Sequence, residues 1–275
     1  MEKVKVLYIS HEITPFLPDS HISKISRELP QMIQETGKEI RTFMPRFGCI
    51  NERRNQLHEV IRLSGMNLII NDSDHPLIIK VASIQSARMQ VYFIENEDYF
   101  QRKFTFRDKN GKFFDDNDER AVFFNRGVFE TVKKLGWAPN IIHIHGWMSA
   151  LSALYVKTVL KDNPLFYDSK VIISLYDDGF TEKFPSDFHL KIKVGDLDEA
   201  EFKEIKKNPD YISFMKMCLK HADGVVFAED NISPELVEYT KQLKIPFVNH
   251  STEENYCSHY QDFYDLVYSN EEVFS

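Results

Sequence analysis

Two short runs hold most of the groups able to do chemistry. In HIHGW (143–147), His143 and His145 stand at i and i+2. A strand would point both to one face. Such a pair can hold zinc when a third ligand joins it. No Cys or His cluster of suitable spacing lies nearby, so hydrogen-bonded strand-end histidines are expected rather than a metal site. Trp147 follows at the strand-to-helix turn, where it either stacks on a sugar or packs against the loop. In LYDDG (175–179), Asp177 and Asp178 could hold a cation or act as an acid/base pair. Adjacent acids before a glycine also serve as turn and cap residues. FFDDNDER (113–120) adds Asp115, Asp116, Asp118 and Glu119. It lacks the glycine turn and terminal Glu of a calcium-binding loop, and acids there suit the positive end of a following helix.

SHEITPFLPDSH (10–21) offers His11 and Glu12. A phosphate cradle needs closely presented backbone N–H groups, which glycine permits. Pro15 and Pro18 remove two donors, and no glycine precedes Gly37. No G-x-S-x-G or Walker-type loop is present.

The elements that must position these residues follow a regular alternation. VKVLYIS (4–10) is a near-continuous apolar run, as for a parallel strand buried on both faces. Ser20 can cap a helix with Ile22, Ile25, Leu29 and Ile33 on one stripe, ended by Gly37. EIRTFMP (39–45) is the second strand, which completes a βαβ opening. Short β-rich runs then fill about 58–95 and read as an inserted antiparallel meander. Alternation resumes with a helix over about 118–135 and strands at 140–145, 170–176, 224–229 and 245–249. Helices are expected over 147–161 and 233–243, on the stripe from Tyr211 to Ala222, and finally over about 254–268. The expected architecture is one three-layer α/β domain over 1–275, a Rossmann-like parallel sheet with a β insertion. Loops after strand carboxyl ends are the default ligand site of such a sheet.

Composition narrows the class. The 275 residues are 43% hydrophobic, enough for a sizeable core. A net charge of −8 argues against a nucleic-acid partner. No apolar run reaches the length of a membrane span. The opening MEKVKVLYIS reads as strand rather than signal peptide. Cys49, Cys218 and Cys257 are odd in number and widely spaced, which fits reduced thiols and a cytoplasmic setting.

Five collinear stretches resemble one family, the N-terminal half of bacterial glycogen synthases and plant starch synthases. KVLYISHEITPF is similar to K-V-L-F-V-x-x-E-x-x-P-F. RELPQMIQETGKEIRTFMPRFGCI is similar to L-P-x-x-L-x-x-x-G-H-x-V-R-x-x-x-P-x-Y-x-x-I. DDNDERAVFFNRGVFETV resembles D-N-x-x-R-F-x-x-F-x-x-A. PNIIHIHGWMSALSALYVK resembles P-D-x-V-H-x-H-D-W-H-x-x-L-x-x-x-Y. FMKMCLKHADGVVFAEDNISPEL resembles F-x-K-x-G-I-x-x-A-D-x-V-x-x-V-S-x-x-Y. The resemblance implies the first half of a GT-B fold, whose reaction passes glucose from ADP-glucose to an α-1,4-glucan without a metal or other cofactor.

The departures fall on positions the family uses. Its K-x-G-G-L-G-D loop, which approaches the donor phosphates, aligns with Leu17 to Ser23, where LPDSHIS stands instead. The Asp of H-D-W-H is Gly146 and its last His is Met148. The His of H-N-L-x-Y-Q-G falls at about Leu175. Losing one donor that stabilises a departing charge typically costs about a hundred- to thousandfold in rate. The expectation is therefore a glycogen-synthase-like domain without its own transfer activity. His11, Glu12, Arg46, Asn117, Arg120, His145, Trp147 and Asp177 are its candidate cleft residues for an α-glucan or ADP-glucose-like ligand. One half of a glycogen synthase whose second domain is supplied by a partner chain, and a non-enzymatic scaffold or interaction protein, are the alternatives.

Overall fold

A computed structural model describes residues 3–195, 197–250 and 256–269. The strands are β1 (Lys5–Ser10), β2 (Glu39–Pro45), β3 (His58–Glu59), β4 (Met66–Ile70), β5 (Ser73–Ile84), β6 (Met89–Glu95), β7 (Ile141–His145), β8 (Lys170–Leu175), β9 (Gly224–Phe227) and β10 (Phe247–Asn249). The helices are α1 (His21–Glu35), α2 (Glu52–Asn55), α3 (Glu97–Phe100), α4 (Asn117–Leu135), α5 (Leu151–Lys157), α6 (Phe188–Ile192), α7 (Lys203–Lys207), α8 (Tyr211–Leu219), α9 (Pro234–Gln242) and α10 (Tyr256–Ser269). The strand order is β10-β9-β8-β7-β1-β2-β6-β5-β3, with β4 paired to β5. Neighbours from β10 through β6 run parallel, and β5 is antiparallel to β6, β4 and β3.

Alternation along β1 divides the core. Val6 and Tyr8 pack with Ile25, Leu29 and the α10 residues Tyr260, Phe263 and Tyr264 on one face of the sheet. Leu7 and Ile9 join the larger cluster on the other face with Phe124 and Val128 of α4, Leu154 of α5 and Phe214 of α8. Successive side chains point to opposite faces, so one apolar strand feeds both layers.

The run at 88–94 does more than close the meander. As β6 it pairs in parallel with β2, Thr42 opposite Val91 through Pro45 opposite Ile94. Its residues are buried on both faces except Gln90, which is the signature of an interior strand. β4 alternates exposed and buried positions as an edge strand does. Two expected elements are shorter in the structure. EVIRL keeps only Glu59 in a strand, and the helix after HIHGW is a 3-10 turn at Trp147–Ser149 followed by α5, which stops at Lys157. Residues 254 and 255 of the expected terminal helix lie outside the described residues, and α10 carries Tyr260, Phe263 and Val267 inward. No helix of the described residues is long and apolar enough to cross a membrane.

Candidate functional site

The carboxyl ends of β1, β7, β8, β9 and β10 share one edge of the sheet, and the amino end of α1 faces it. His11 stands just past β1. It is 1% exposed, with its ring edge-on to Phe106 at 5.1 Å and tilted on Trp147 at 6.4 Å. Its Nε2 lies 4.0 Å from Asp178 Oδ2. Asp178 accepts the Trp147 backbone N–H at 2.7 Å and the Tyr211 hydroxyl at 3.2 Å. Of the two adjacent acids, Asp178 therefore faces the interior, while Asp177 is exposed and donates its N–H to Glu229 at 2.6 Å. Asp177 is the cleft residue expected from sequence, whereas it is Asp178 that meets His11, Trp147 and Tyr211. Both residues lie past the end of β8, and tertiary contacts alone separate them.

His143 and His145 lie on one face, their rings 4.1 Å apart. His143 is satisfied at both nitrogens, by Tyr264 at 2.6 Å and Ser174 at 2.8 Å. His145 shares a hydrogen bond with Tyr176 at 2.7 Å. Among the described residues His145 Nε2 and His11 Nδ1 have no hydrogen-bond partner. Among the described residues no group of three or more His, Cys, Asp or Glu could hold a metal ion.

Of the two roles open to Trp147, the structure has packing. The indole is 2% exposed and meets Phe106, Phe113, Phe180, Phe184 and Phe214 at 5.1–6.5 Å. Asn117 and Arg120 are also fully buried. Arg120 donates to Tyr99 O at 2.8 Å, Thr105 O at 2.7 Å and Asn117 Oδ1 at 2.5 Å, and Asn117 donates to Phe106 O at 2.9 Å. These two residues anchor the 99–117 connection rather than opening into a cleft. Arg46 sits apart from the histidines, in an ion network with Glu52, Glu95 and Lys80. The eight candidates therefore separate. His11 adjoins Trp147 and lies close enough to His145 to lower its pKa, while Glu12, Arg46, Asp177 and the Asn117–Arg120 pair each belong to another set of contacts.

The start of α1 decides what the edge can bind. Ser20 Oγ accepts the Ser23 N–H at 3.0 Å, and Ser23 Oγ accepts the Ser20 N–H at 2.8 Å. This reciprocal cap satisfies two donors that a helix start would otherwise present to an anion. Thr14 donates its N–H to Ser23 O, and Phe16 and Leu17 donate theirs to Ile13 O. Pro15 and Pro18 have no N–H to give. Ser20 Oγ also donates to the Glu12 carboxylate at 2.5 Å, and His21 Nδ1 lies 3.1 Å from Glu229. A cavity of about 470 Å³ opens beside it, lined by His21, Asp177, Glu229, Asp230, Asn249 and His250 among others. Three carboxylates repel a diphosphate, whereas carboxylates, amides and imidazoles together suit the hydroxyls of a neutral polyol.

Burial sets the ionisation of the inner groups. It brings His11 down to about 4 and His145 down to about 3, the latter also through His11. It holds His143 well below the usual range. It pushes Asp178 up to about 7 and Asp118 up to about 6, the latter against the pull of Lys191. The signs oppose. A histidine with a lowered pKa stabilises the fold above its unfolded value of about 6.5, and that stability is lost as pH falls. An acid with a raised pKa stabilises the fold at low pH and loses that contribution as pH rises through its folded value. Moving from pH 7 to pH 5 costs at most about 2 kcal/mol for each histidine held neutral, and the two acids return part of the sum. Urea midpoints at pH 7 and pH 5 are expected to show lower stability at pH 5, with His221 and His250, which burial also lowers, adding to the loss. Equal or greater stability at pH 5 would mean that the histidines are not held neutral.

Comparison with known proteins places this geometry. A family model described as the starch synthase catalytic domain matches residues 5–245. The glycogen synthase of Chlorobium limicola is 41% identical over 234 residues, which cover 85% of this chain and 47% of that protein. The glycogen synthase of Pelodictyon phaeoclathratiforme is 34% identical over 241 residues, with 86% and 48% covered. The chain thus spans about half the length of the curated relatives it matches. Among solved structures, the catalytic domain of starch synthase IV from Arabidopsis thaliana, bound to ADP and acarbose, superposes with a TM-score of 0.74. It is 14% identical, with 90% of this chain and 51% of that one covered. The parallel sheet and the match over residues 5–245 agree, and the chain belongs to the starch synthase catalytic domain family of glycosyltransferases.

Proposed function

We propose that this chain binds a neutral α-glucan at the carboxyl edge of its sheet and does not itself transfer glucose from ADP-glucose. One observation carries the reading. The backbone donors of the 14–23 segment are largely committed within the protein, and carboxylates face the helix start they would have served. A departing diphosphate needs fixed donors aimed at its growing charge. Here Glu12, Glu229, Asp177 and Asp230 would raise the energy of that charge. A hydroxylated, uncharged ligand meets no such penalty.

Calorimetric titration with maltoheptaose and with ADP-glucose tests the binding, and incorporation of labelled glucose into glycogen tests the chemistry. The expected results are saturable maltoheptaose binding, none by ADP-glucose, and incorporation at background. Sustained incorporation by the pure chain defeats the reading. A second reading is that transfer needs the half of the relatives' length that this chain does not match. Transfer restored by mixing this chain with the separately produced C-terminal half of a relative would select it. A chain that binds neither ligand and is not restored by mixing would act through protein contacts alone.

A further inference from the structure

A second cavity, of about 810 Å³, lies at the opposite edge of the sheet. It opens at the amino-terminal ends of β2 and β6, where Glu39, Ile40, Arg41, Met89 and Gln90 line it. Lys3, Lys38, Arg41 and Arg88 also reach its wall, from three separate stretches of chain. The whole chain has a net charge of −8, so four cations around one cavity run against its average. Among the described residues Glu39 is the one acid in the lining. Its carboxylate accepts Trp137 Nε1–H at 2.6 Å and stays 4.0 Å from Arg41. Among the described residues, no other acid lies within ion-pair distance of these four cations.

Arg41 is the preset member. Its guanidinium carbon lies 5.8 Å from the Tyr92 ring centre and 5.2 Å from that of Trp137. Its Nη1 donates to the Tyr92 hydroxyl at 2.9 Å. Its Nε is buried without an acceptor. A guanidinium held between two rings has little side-chain entropy left to lose, and its planar fork matches the oxygens of a phosphate. Four like charges gathered around a single carboxylate raise one another's energy, and a bound anion relieves this. Ile40, Ile84, Met89 and Tyr92 add apolar surface beside the cations. The volume falls within the range of small-molecule pockets and exceeds what a bare phosphate fills.

We propose that this cavity binds a phosphorylated small molecule, its phosphate at Arg41, Lys38 and Arg88 and its organic body against Ile40, Ile84 and Tyr92. The site is independent of the glucan reading, because it uses none of the same residues and lies at the other sheet edge. Calorimetric titration of the 275-residue chain with AMP and with glycerol 3-phosphate tests it. Adenosine and glycerol serve as uncharged counterparts and inorganic phosphate as the bare anion. At least one ester is expected to saturate, to bind about tenfold or more tighter than its uncharged counterpart and inorganic phosphate, and to weaken as salt is raised. The charge-reversed double variant K38E/R88E should bind that ester about tenfold or more weakly. Unchanged circular dichroism and unchanged maltoheptaose titration would show that the variant is folded and its other edge untouched. The proposal is overturned by the absence of saturation with both esters up to about 10 mM. Equal affinity in the double variant, or inorganic phosphate binding as tightly as the esters, overturns it as well.

Discussion

Replacing Gly146 by Asp, the acid that the resembled family carries at this position, is expected to destabilise the chain by about 4 kcal/mol. Two physical terms combine. Gly146 has φ +80°, a conformation that side chains with a Cβ rarely adopt. A Cβ built there would lie 2.1 Å from His11 Cε1 and 2.4 Å from His11 Nδ1. The imidazole cannot simply step aside, because Phe106, Trp147 and Asp178 enclose it. Gly146→Ala should cost nearly as much, since its methyl meets the same atoms. His11→Ala removes those atoms. The double variant His11→Ala/Gly146→Ala should therefore be more stable than the two single effects predict, with a coupling of about 2 kcal/mol. Urea denaturation of the four proteins measures that coupling. Additive effects would show that the imidazole is not what excludes a side chain at 146. His11 and the loss of the acid then belong to one packing arrangement: the ring occupies the space where a side chain at 146 would begin.

Arg120→Ala is expected to lower stability by about 3–5 kcal/mol. The guanidinium is fully buried, and burial brings its pKa down to about 9 although Asp116 opposes this. It lies 5.3–5.5 Å from the ring centres of Phe47, Phe100 and Phe114. Truncation leaves a cavity among those rings and strands the carbonyls of Tyr99 and Thr105 without donors. Arg120→Met refills most of the space but restores no donor, so it should recover roughly half of the loss. Because the lost bonds tie down the 99–117 connection, limited proteolysis should cut both variants first within that stretch. Indifference of stability to Arg120→Ala would remove the anchoring role. Cleavage elsewhere in a destabilised variant would show that the loss is not local to the connection.

Much of the architecture was legible from residue pattern. The apolar run at 4–10, the Ser20 cap and the stripe Ile22, Ile25, Leu29 and Ile33 each express a local rule, and β1 and α1 form where those rules put them. The meander was legible as strands, but its link to the main layer was not. Whether 88–94 pairs only with its hairpin neighbour or also in parallel with β2 depends on a partner more than forty residues away. The end of α5 is not legible from residue pattern either. Its apolar residues continue past Lys157 toward Leu160, yet the helix stops at Lys157.

The candidate site divides along the same line. Its residue types were visible, and so were the absent glycines of the 17–23 segment, because composition and order along the chain state them directly. Their environments were not. Asp178 faces His11 while Asp177 faces solvent, Trp147 lies inside an aromatic cluster, and Tyr264 reaches His143 from 121 residues away. The cations at residues 3, 38, 41 and 88 become one site only through the parallel register of β2 and β6. By itself the sequence determined the fold class, the family and the loss of the glycine loop, since each is written in local pattern and collinear motif. Only the tertiary structure decided which groups are buried, paired or left facing a cavity. Desolvation and Coulomb interaction depend on distance in space, and distance along the chain does not report it.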